Sequence, residues 1–397
     1  MQDNRNNDIY IKQENRKKEE SLSEKSKKKW WLIAVIILVV VGLIWVGVKN
    51  SDKKKKGKLI EVNNDKDKKT YIVANQGDVS PISGLVCDNW NRRPIAVMQP
   101  ADVSARPAAG FSQADMVIEM PVITASITRL MAIYICNDPE EVGSMRSSRH
   151  DFIHLAKGFD AIFVHWGGSH FAKEKLNDGV IENINCNDDG GQSGGQCCFR
   201  KEGMSRGVDS GYAKFAKLLE CSEEFGYSME NTFSGYPHQD EALEGDRPSS
   251  GRLRVGFAGS FGVSYDYDKT SNAYLRIWGG EEDKDRNNGE RIAPKNIAVL
   301  MATSEQTEGQ YNNVELGDPW YDKTDSGEAF FYFNGKEYKG KWEKDKSNIN
   351  SKLLMLDENG EDIKFVPGQI WVEVLEPGQT LKWRSSEGEI QQTIIQN

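Results

Sequence analysis

The chain has 397 residues, a length typical of two domains, and its 51 Lys and Arg against 60 Asp and Glu give a net charge of −9. That charge is divided, because residues 1–69 sum to +8 and the rest of the chain to −17. An acidic body lacks the clustered cations that neutralise phosphates, so we expect no nucleic-acid partner. An apolar fraction of 38% supports a folded core and excludes wholesale disorder.

The first predicted elements are a polar, charged tail at residues 1–29 and a transmembrane helix at Trp30–Val48. The helix would span about 28 Å, and no charged residue interrupts it. Because the apolar run exceeds a signal-peptide core and no small-residue cleavage motif follows, we expect a retained single span. Lysines flank both ends and give no clear orientation, but the short leading tail favours a cytoplasmic N-terminus.

A Lys-, Asn- and Asp-rich stalk at residues 49–79 precedes two predicted domains, so the expected fold class is α+β. Residues 80–249 form a mixed α/β domain by this interpretation. Its predicted strands are Ile95–Met98, Met116–Met120, Ile127–Ile135 and Ala161–Trp166, and its helical patterns are Ser148–Lys157 and Tyr212–Cys221. Residues 250–397 form a β-rich domain of short strands, with hairpin turns predicted at Asn334–Gly335 and Asn359–Gly360.

All six cysteines follow the predicted span: Cys87, Cys136, Cys186, Cys197, Cys198 and Cys221. An even count on one side of a membrane indicates disulfides in an oxidising compartment. A bridge from Cys186 to one of the adjacent cysteines would close a Gly-rich loop. Zinc binding and free buried thiols stay open as alternatives, although no CxxC pair is present.

Several stretches of residues 80–397 are distinctive when taken together: SPISGLVCDNWNRRPIAVMQPADVSARPAAGFSQADMVIEM, ITRLMAIY, VGSMRSSRHDFIHLAKGFDAIFVHWGGS, VSYDYD and AYLRIWGG. They resemble the YerB-like bacterial lipoprotein family, which combines a domain of unknown function with a companion C-terminal domain. The resemblance implies an extracytoplasmic, membrane-attached protein and supplies no reaction. This chain departs from the family in having a predicted helix where a lipidated Cys is common, and Ile123–Ser126 where an acidic-Gly-Gly segment is usual.

The residues that match family motifs include five arginines, and arginine is suited to holding phosphate or carboxylate. The matching residues are Arg106, Pro107, Asp115, Glu119, Thr128, Arg129, Arg146, Ser147, Arg149, His165, Gly167, Gly168, Ser169 and Arg200. Arg146 and Arg149 flank a predicted helix start, where backbone N–H groups also attract anions. The alternative is that these arginines pair internally with Asp115, Glu119 or Asp151.

The turn His165–Ser169 follows an apolar strand, at the end of a strand where α/β folds open a crevice. His165 is a candidate acid or base, with Glu119 or Ser169 as its partner, and Ser169 is a candidate nucleophile or donor. The alternative is a tight turn with a capping serine.

We expect no metal and no cofactor. His150 and His154 have zinc-like spacing without an identifiable third ligand, and Asp283–Asn287 opens like a calcium loop but lacks the required Gly and Glu positions. The sequence contains no Walker A and no strand-linked G-x-G-x-x-G motif.

Three functions follow as hypotheses. The first is a binding module for an anionic envelope ligand, using Arg129, Arg146, Ser147, Arg149, Arg200 and the turn His165–Ser169. The second is an extracytoplasmic hydrolase or transferase built on His165. The third is a structural partner in an envelope complex, which an exposed apolar patch or an open strand edge in residues 250–397 would favour and the absence of both would count against.

Overall fold

A computed structural model describes residues 78–123, 126–204, 207–308, 311–314, 326–345, 347–386 and 391–394. The predicted tail, the span Trp30–Val48 and almost all of the stalk lie outside these residues. Among the helices of the described residues, none is long and apolar enough to cross a bilayer.

The described chain is rich in strand, as the predicted α+β class requires, and its three α-helices fall between residues 150 and 224. They are α1 (His150–Gly158), α2 (His170–Asn177) and α3 (Phe215–Glu224). The strands before residue 250 are β1 (Ile95–Pro100), β2 (Met116–Pro121), β3 (Thr128–Tyr134), β4 (Glu141–Gly143), β5 (Ile162–His165), β6 (Asn183–Asn185), β7 (Phe199–Arg200) and β8 (Gly211–Lys214).

The second half of the described chain contains strands and no α-helix, in agreement with a β-rich segment. These strands are β9 (Ser250–Gly256), β10 (Val263–Asp268), β11 (Ala273–Trp278), β12 (Glu281–Glu282), β13 (Asn296–Met301), β14 (Ser304–Glu308), β15 (Tyr311–Val314), β16 (Ser326–Phe333), β17 (Lys336–Glu343), β18 (Leu354–Asp357), β19 (Ile370–Leu375), β20 (Thr380–Ser385) and β21 (Gln391–Ile394).

A ten-stranded sheet with the order β18-β17-β16-β13-β19-β2-β3-β1-β5-β6 forms the centre of the fold. Strand β19 pairs parallel with β2, so strands from both sides of residue 250 join in one sheet. The chain from Ala74 to Asn397 accordingly forms one compact unit. The boundary between domains at 80–249 and 250–397 stays a prediction, and the shared sheet means that the two segments bury their cores together.

Two hydrophobic clusters cover the faces of this sheet, because successive side chains of a strand point to opposite faces. Ala96, Met98 and Phe163 pack on the face that carries α1 and α2. Ile95 and Val97 pack on the other face, against α3 and a six-stranded sheet with the order β12-β11-β10-β9-β20-β21.

Local signals explain several connections. The predicted turn at Asn334–Gly335 joins β16 to β17, and both residues have positive φ, 53° and 70°, as a type I′ hairpin requires. The predicted hairpin at Asn359–Gly360 is reduced to a tight loop that returns to a single bridge between Leu356 and Asp362. Helix α2 was not predicted, although its capping residue Ser169 is visible in the sequence.

All six cysteines form disulfides, as predicted. The pairs are Cys87–Cys136, Cys186–Cys198 and Cys197–Cys221. The Cys186–Cys198 disulfide closes the Gly-rich loop, and the adjacent Cys197 and Cys198 take different partners. This pattern is typical of proteins that mature in an oxidising compartment.

A buried ion network joins the six-stranded sheet to the ten-stranded sheet. The Arg276 side chain is fully buried, and its Nη2 lies 2.6 Å from Oε2 of the equally buried Glu119 on β2. Its Nη1 donates to Asp283, and its Nε donates to the Tyr265 hydroxyl at 3.1 Å. Thr128 donates to the second Glu119 oxygen at 2.6 Å. Glu119 is therefore a structural ion-pair partner.

Glu373 and Arg106 complete this network. Tyr265 donates its hydroxyl hydrogen bond to Glu373, while burial and the charge of Glu119 hold the pKa of Glu373 well above the usual glutamate range. Burial thus disfavours the charged form of Glu373. Arg106 stacks between Phe111 and Trp278, with its guanidinium carbon 5.3 and 4.9 Å from the ring centroids, and approaches Asp283 at 3.6 Å.

We predict that Arg276→Met lowers the free energy of unfolding by about 3–5 kcal/mol, because Glu119 and Asp283 would remain buried without their countercharge. Urea unfolding of the full-length protein, followed by tryptophan fluorescence, measures this loss. Arg252→Met is the matched control, since Arg252 and its partner Asp266 are 44% and 40% exposed, and it should change stability by less than about 0.5 kcal/mol. Equal losses in both variants would contradict the prediction.

Candidate functional site

The predicted anion-binding residues meet at the edge of the ten-stranded sheet where the parallel strands β1 and β5 end. The segment that follows β4 crosses this edge. Arg146 N donates to Met98 O at 2.9 Å, and Trp166 N donates to Arg146 O at 3.0 Å. Ser148 N then donates to Gly167 O at 2.8 Å. The two motifs that were singled out in the sequence therefore lie side by side, at a position where parallel sheets open a crevice.

Arg129, Arg146 and Arg149, which we call the arginine cluster, converge at this edge. Arg129 is the second residue of β3, lies opposite Pro100, and donates from Nη1 to the carbonyl oxygen of Ser147. Burial and the like charges of Arg149 and Arg146 lower the pKa of the Arg129 guanidinium well below its usual range, while Asp102 opposes that shift. Arg146 and Arg149 are thus close enough to Arg129 to disfavour its charged form.

Two aspartates hold Arg146, and neither was singled out in the sequence. Its Nη2 lies 2.7 Å from Oδ1 of the buried Asp209 and 3.3 Å from Oδ2 of Asp102. Its Nη1 donates to Val208 O at 3.0 Å. The predicted alternative of internal pairing therefore applies to Arg146, although with different carboxylates. Asp102 follows the end of β1 closely and was recognisable on that ground, whereas no sequence signal indicates Asp209.

Two helices begin next to the arginine cluster. Arg149 is the residue before α1, and Ser169 is the residue before α2. Arg149 donates from Nη1 to Ser148 O at 2.9 Å, and its side chain provides no cap for α1. A helix start attracts anions through its backbone N–H groups and its dipole.

Arg200 lies on the neighbouring strand β7 and not in the cluster itself. Its guanidinium carbon is 4.0 Å from the centroid of the Trp166 ring, and its Nη1 donates to Gly207 O at 3.1 Å. Ser147 takes part in the site through its carbonyl oxygen, which accepts the hydrogen bond from Arg129.

The turn after β5 is a structural turn. Gly167 has φ of +73°, which favours glycine, and Gly168 forms a parallel bridge with Ser148. Ser169 Oγ accepts a hydrogen bond from Ala172 N at 3.3 Å and caps α2. Ser169 is therefore occupied as a helix cap.

The two proposed catalytic partners, His165 and Glu119, lie on opposite faces of the sheet. His165 shares a face with Phe163, on which its ring stacks at 5.4 Å, whereas Glu119 shares the opposite face with Val117. The His165 ring is fully buried, its Nδ1 is 2.8 Å from Gly167 O, and its Nε2 is 3.3 Å from Asn183 Oδ1. Burial lowers its pKa. His165 and Glu119 therefore do not meet as the catalytic pair that the sequence suggested.

The two motifs with metal-like spacing, His150 with His154 and the segment Asp283–Asn287, are part of the packed structure. His150 and His154 are both buried, and burial lowers the pKa of His150 to about 3. Asp285 accepts hydrogen bonds from Gly110 N and Ser112 N, so the loop opened by Asp283 attaches to the first half of the chain. Among the described residues, no three His, Cys, Asp or Glu side chains are arranged to hold a metal ion.

The loop closed by Cys186–Cys198 packs on the turn at β5. Asn187 Oδ1 in this loop accepts a hydrogen bond from Trp166 Nε1 at 3.1 Å, and Asn185 Oδ1, at the end of β6 just before the loop, accepts one from Gly167 N at 2.9 Å. Asp189 pairs with Lys173 of α2 at 2.9 Å. The disulfide loop therefore supports the sheet edge that carries the arginine cluster.

A wide groove of about 840 Å³ lies elsewhere, between the β16–β17 hairpin, the loop after β18, and β20. Lysines and carboxylates of both signs line it, including Lys336, Glu337 and Asp357. Asp357 is occupied by the backbone N–H groups of Asn359 and Glu361 in its own turn. The groove therefore offers no converging set of one charge, in contrast to the arginine cluster.

We predict that His165 contributes stability as a neutral group. Because burial holds its folded-state pKa below that of the unfolded chain, about 6.5, protons favour the unfolded state as the pH falls. Between pH 7 and pH 5 the free energy of unfolding of the wild type should therefore fall by about 1 kcal/mol more than that of His165→Asn. Urea unfolding at constant ionic strength measures both free energies, and His170→Gln is the control because it removes an exposed histidine. If the wild type became more stable relative to His165→Asn as the pH falls, His165 would not be a buried neutral group.

We also predict that replacing Cys186 and Cys198 together by serine costs about 2–3 kcal/mol and loosens the turn. Hydrogen exchange of the amides at 165–169 should accelerate, because Asn185 and Asn187 would lose their fixed positions. Replacing Cys87 and Cys136 by serine is the control, since that bridge does not hold these asparagines. Unchanged exchange at the turn in the first variant would refute the supporting role of the loop.

Comparison with known proteins places these features in one family. Residues 82–228 match the N-terminal domain of DUF3048, described as a protein of unknown function, and residues 253–372 match its C-terminal domain. The chain is 28% identical to YerB of Bacillus subtilis (strain 168), provisionally named a lipoprotein, over 68% of this chain and 77% of that protein.

The fold is also shared. The crystal structure of the Bacillus subtilis YerB protein aligns with a TM-score of 0.64 at 28% identity, covering 75% of this chain and 96% of that one. The matching motifs, both matching domains and the common fold agree with one another. The chain therefore belongs to the YerB-like DUF3048 family.

Proposed function

We propose that the protein is a membrane-anchored, extracytoplasmic binding module for an anionic ligand of the cell envelope. Three disulfides support an oxidising location, and the provisional lipoprotein name of a relative supports attachment to a membrane. In this proposal Trp30–Val48 is the single span, the N-terminus lies in the cytoplasm, and the described domains lie outside.

The state of Arg129 is the observation that carries this function. It lies next to two other guanidiniums, and the one hydrogen bond described for it reaches a neutral carbonyl. Arg146 by contrast is held by two aspartates. A bound phosphate or carboxylate would give Arg129 a hydrogen-bonded countercharge in addition to the more distant Asp102, and the adjacent start of α1 would favour the same charge.

The geometry gives less support to the other two hypotheses. Hydrolysis by His165 with Glu119 needs a contact that the sheet prevents, and Ser169 is occupied as a cap. A structural role gains support from open edges at β12, β18 and β21. However, among the described residues of 250–397 no large apolar side chain is exposed.

We predict that Arg129→Gln weakens binding of inorganic phosphate at least about tenfold, because one charge-assisted interaction is lost. Titration of the full-length protein in neutral detergent, followed by ³¹P NMR, measures the dissociation constant. Malonate serves as a carboxylate probe in the same assay.

Arg252→Gln is the matched control, because Arg252 lies on the exposed face of the six-stranded sheet. This variant should leave the dissociation constants for phosphate and for malonate unchanged within about twofold. Absence of phosphate and malonate binding by the wild type, or full affinity in a folded Arg129→Gln variant, would refute the proposed function.

A further inference from the structure

Two exposed valines border the arginine cluster. Val103 is 59% exposed and Val208 is 52% exposed. The other large apolar side chains exposed in the described part of the chain are Leu85, Val86 and Leu243. Isolated exposed valines are ordinary on a protein surface, so their placement beside cations is the informative feature.

The valines belong to two neighbouring turns that the cluster itself holds together. Val103 begins the 3-10 turn Val103–Ala105, and Val208 is the middle residue of the turn Gly207–Asp209. Ser104 Oγ donates to Asp209 Oδ2 at 2.8 Å and joins the two turns directly. Arg146 reaches Asp102 and Asp209, the neighbours of the two valines, with the same nitrogen. A residue of the cluster thus fixes both apolar tips beside it.

This combination selects among anionic ligands. A free phosphate or a soluble polyanion needs cations and gains nothing from exposed valines. The surface of an anionic bilayer offers phosphate groups with apolar chains directly beneath them, so cations and short apolar side chains engage it together. The chain beyond residue 69 carries −17, so an anionic bilayer would repel most of the body. The arginine cluster would then determine which side faces the lipid.

We propose that the arginine cluster and the tips of Val103 and Val208 form a docking surface for anionic phospholipid headgroups. The inference rests on the proposed function and specifies the source of the anion. The arginine cluster binds the phosphate group, and the two valines enter the boundary between headgroups and acyl chains. The described domains thereby lie against the membrane in one fixed orientation.

The test uses the full-length protein in nanodiscs, with one fluorophore attached at a time through Val103→Cys, Val208→Cys or Leu243→Cys. All native cysteines are in disulfides, so the new thiol is the site of labelling. Lipids brominated on their acyl chains quench fluorophores that reach the acyl region. In phosphatidylglycerol discs we expect about threefold more quenching at positions 103 and 208 than at position 243, and no such difference in phosphatidylcholine discs.

Leu243 is the matched control because it is 75% exposed and lies outside both turns. Adding Arg129→Gln to the labelled variants should reduce quenching to the control level. Equal quenching at the three positions, or equal quenching in the two lipids, would overturn the inference. If the wild type binds inorganic phosphate but shows no selective quenching, or binds soluble polyphosphate without lipid contact, the proposed function survives and the lipid surface is refuted.

Discussion

The fold depends on one buried guanidinium. Arg276 lies between two sheets with no access to solvent, so each of its charged contacts must come from the protein. Glu119 comes from β2, Asp283 from the loop after β12, and Tyr265 from β10. Tyr265 and Asp283 lie within 11 residues of Arg276, whereas Glu119 lies 157 residues away. Satisfying this one side chain therefore aligns the six-stranded sheet on the ten-stranded sheet. Apolar packing supplies most of the burial, while this network links defined positions of the two sheets.

The polar residues singled out in the sequence fall into two groups, one buried in the sheet and one at its edge. Alternation along the central strands places Glu119 on the face toward the second sheet, and His165 on the face toward the helices. Both are buried and engaged by neighbours, so neither is positioned for chemistry. The arginine cluster lies at the end of the strands, where backbone changes direction and side chains leave the core. Its like charges are the reason that an anion is the ligand we propose.

The sequence predicted what local rules determine. Apolar runs located β1, β2, β3 and β5, and the Asn334–Gly335 turn located a hairpin. Cysteine parity predicted disulfides. The sequence did not predict that β19 inserts beside β2, because a parallel pairing across such a distance leaves no local pattern. Nor did it predict that Asp209 would hold Arg146, since that contact depends on two loops meeting in space. The family motifs indicated that the arginines belong to one site. The face of the sheet on which His165 lies could be known only from the structure.

The position of β19 has a consequence for export. This strand lies between β13 and β2 in the finished sheet, yet it occupies residues 370–375 near the end of the chain. A polypeptide that crosses a membrane from its N-terminal side therefore delivers β2 long before its partner arrives. Until then β2 presents an unpaired edge to its surroundings, and long-range parallel pairing is slow to form. Truncation before residue 370 would leave that edge open permanently.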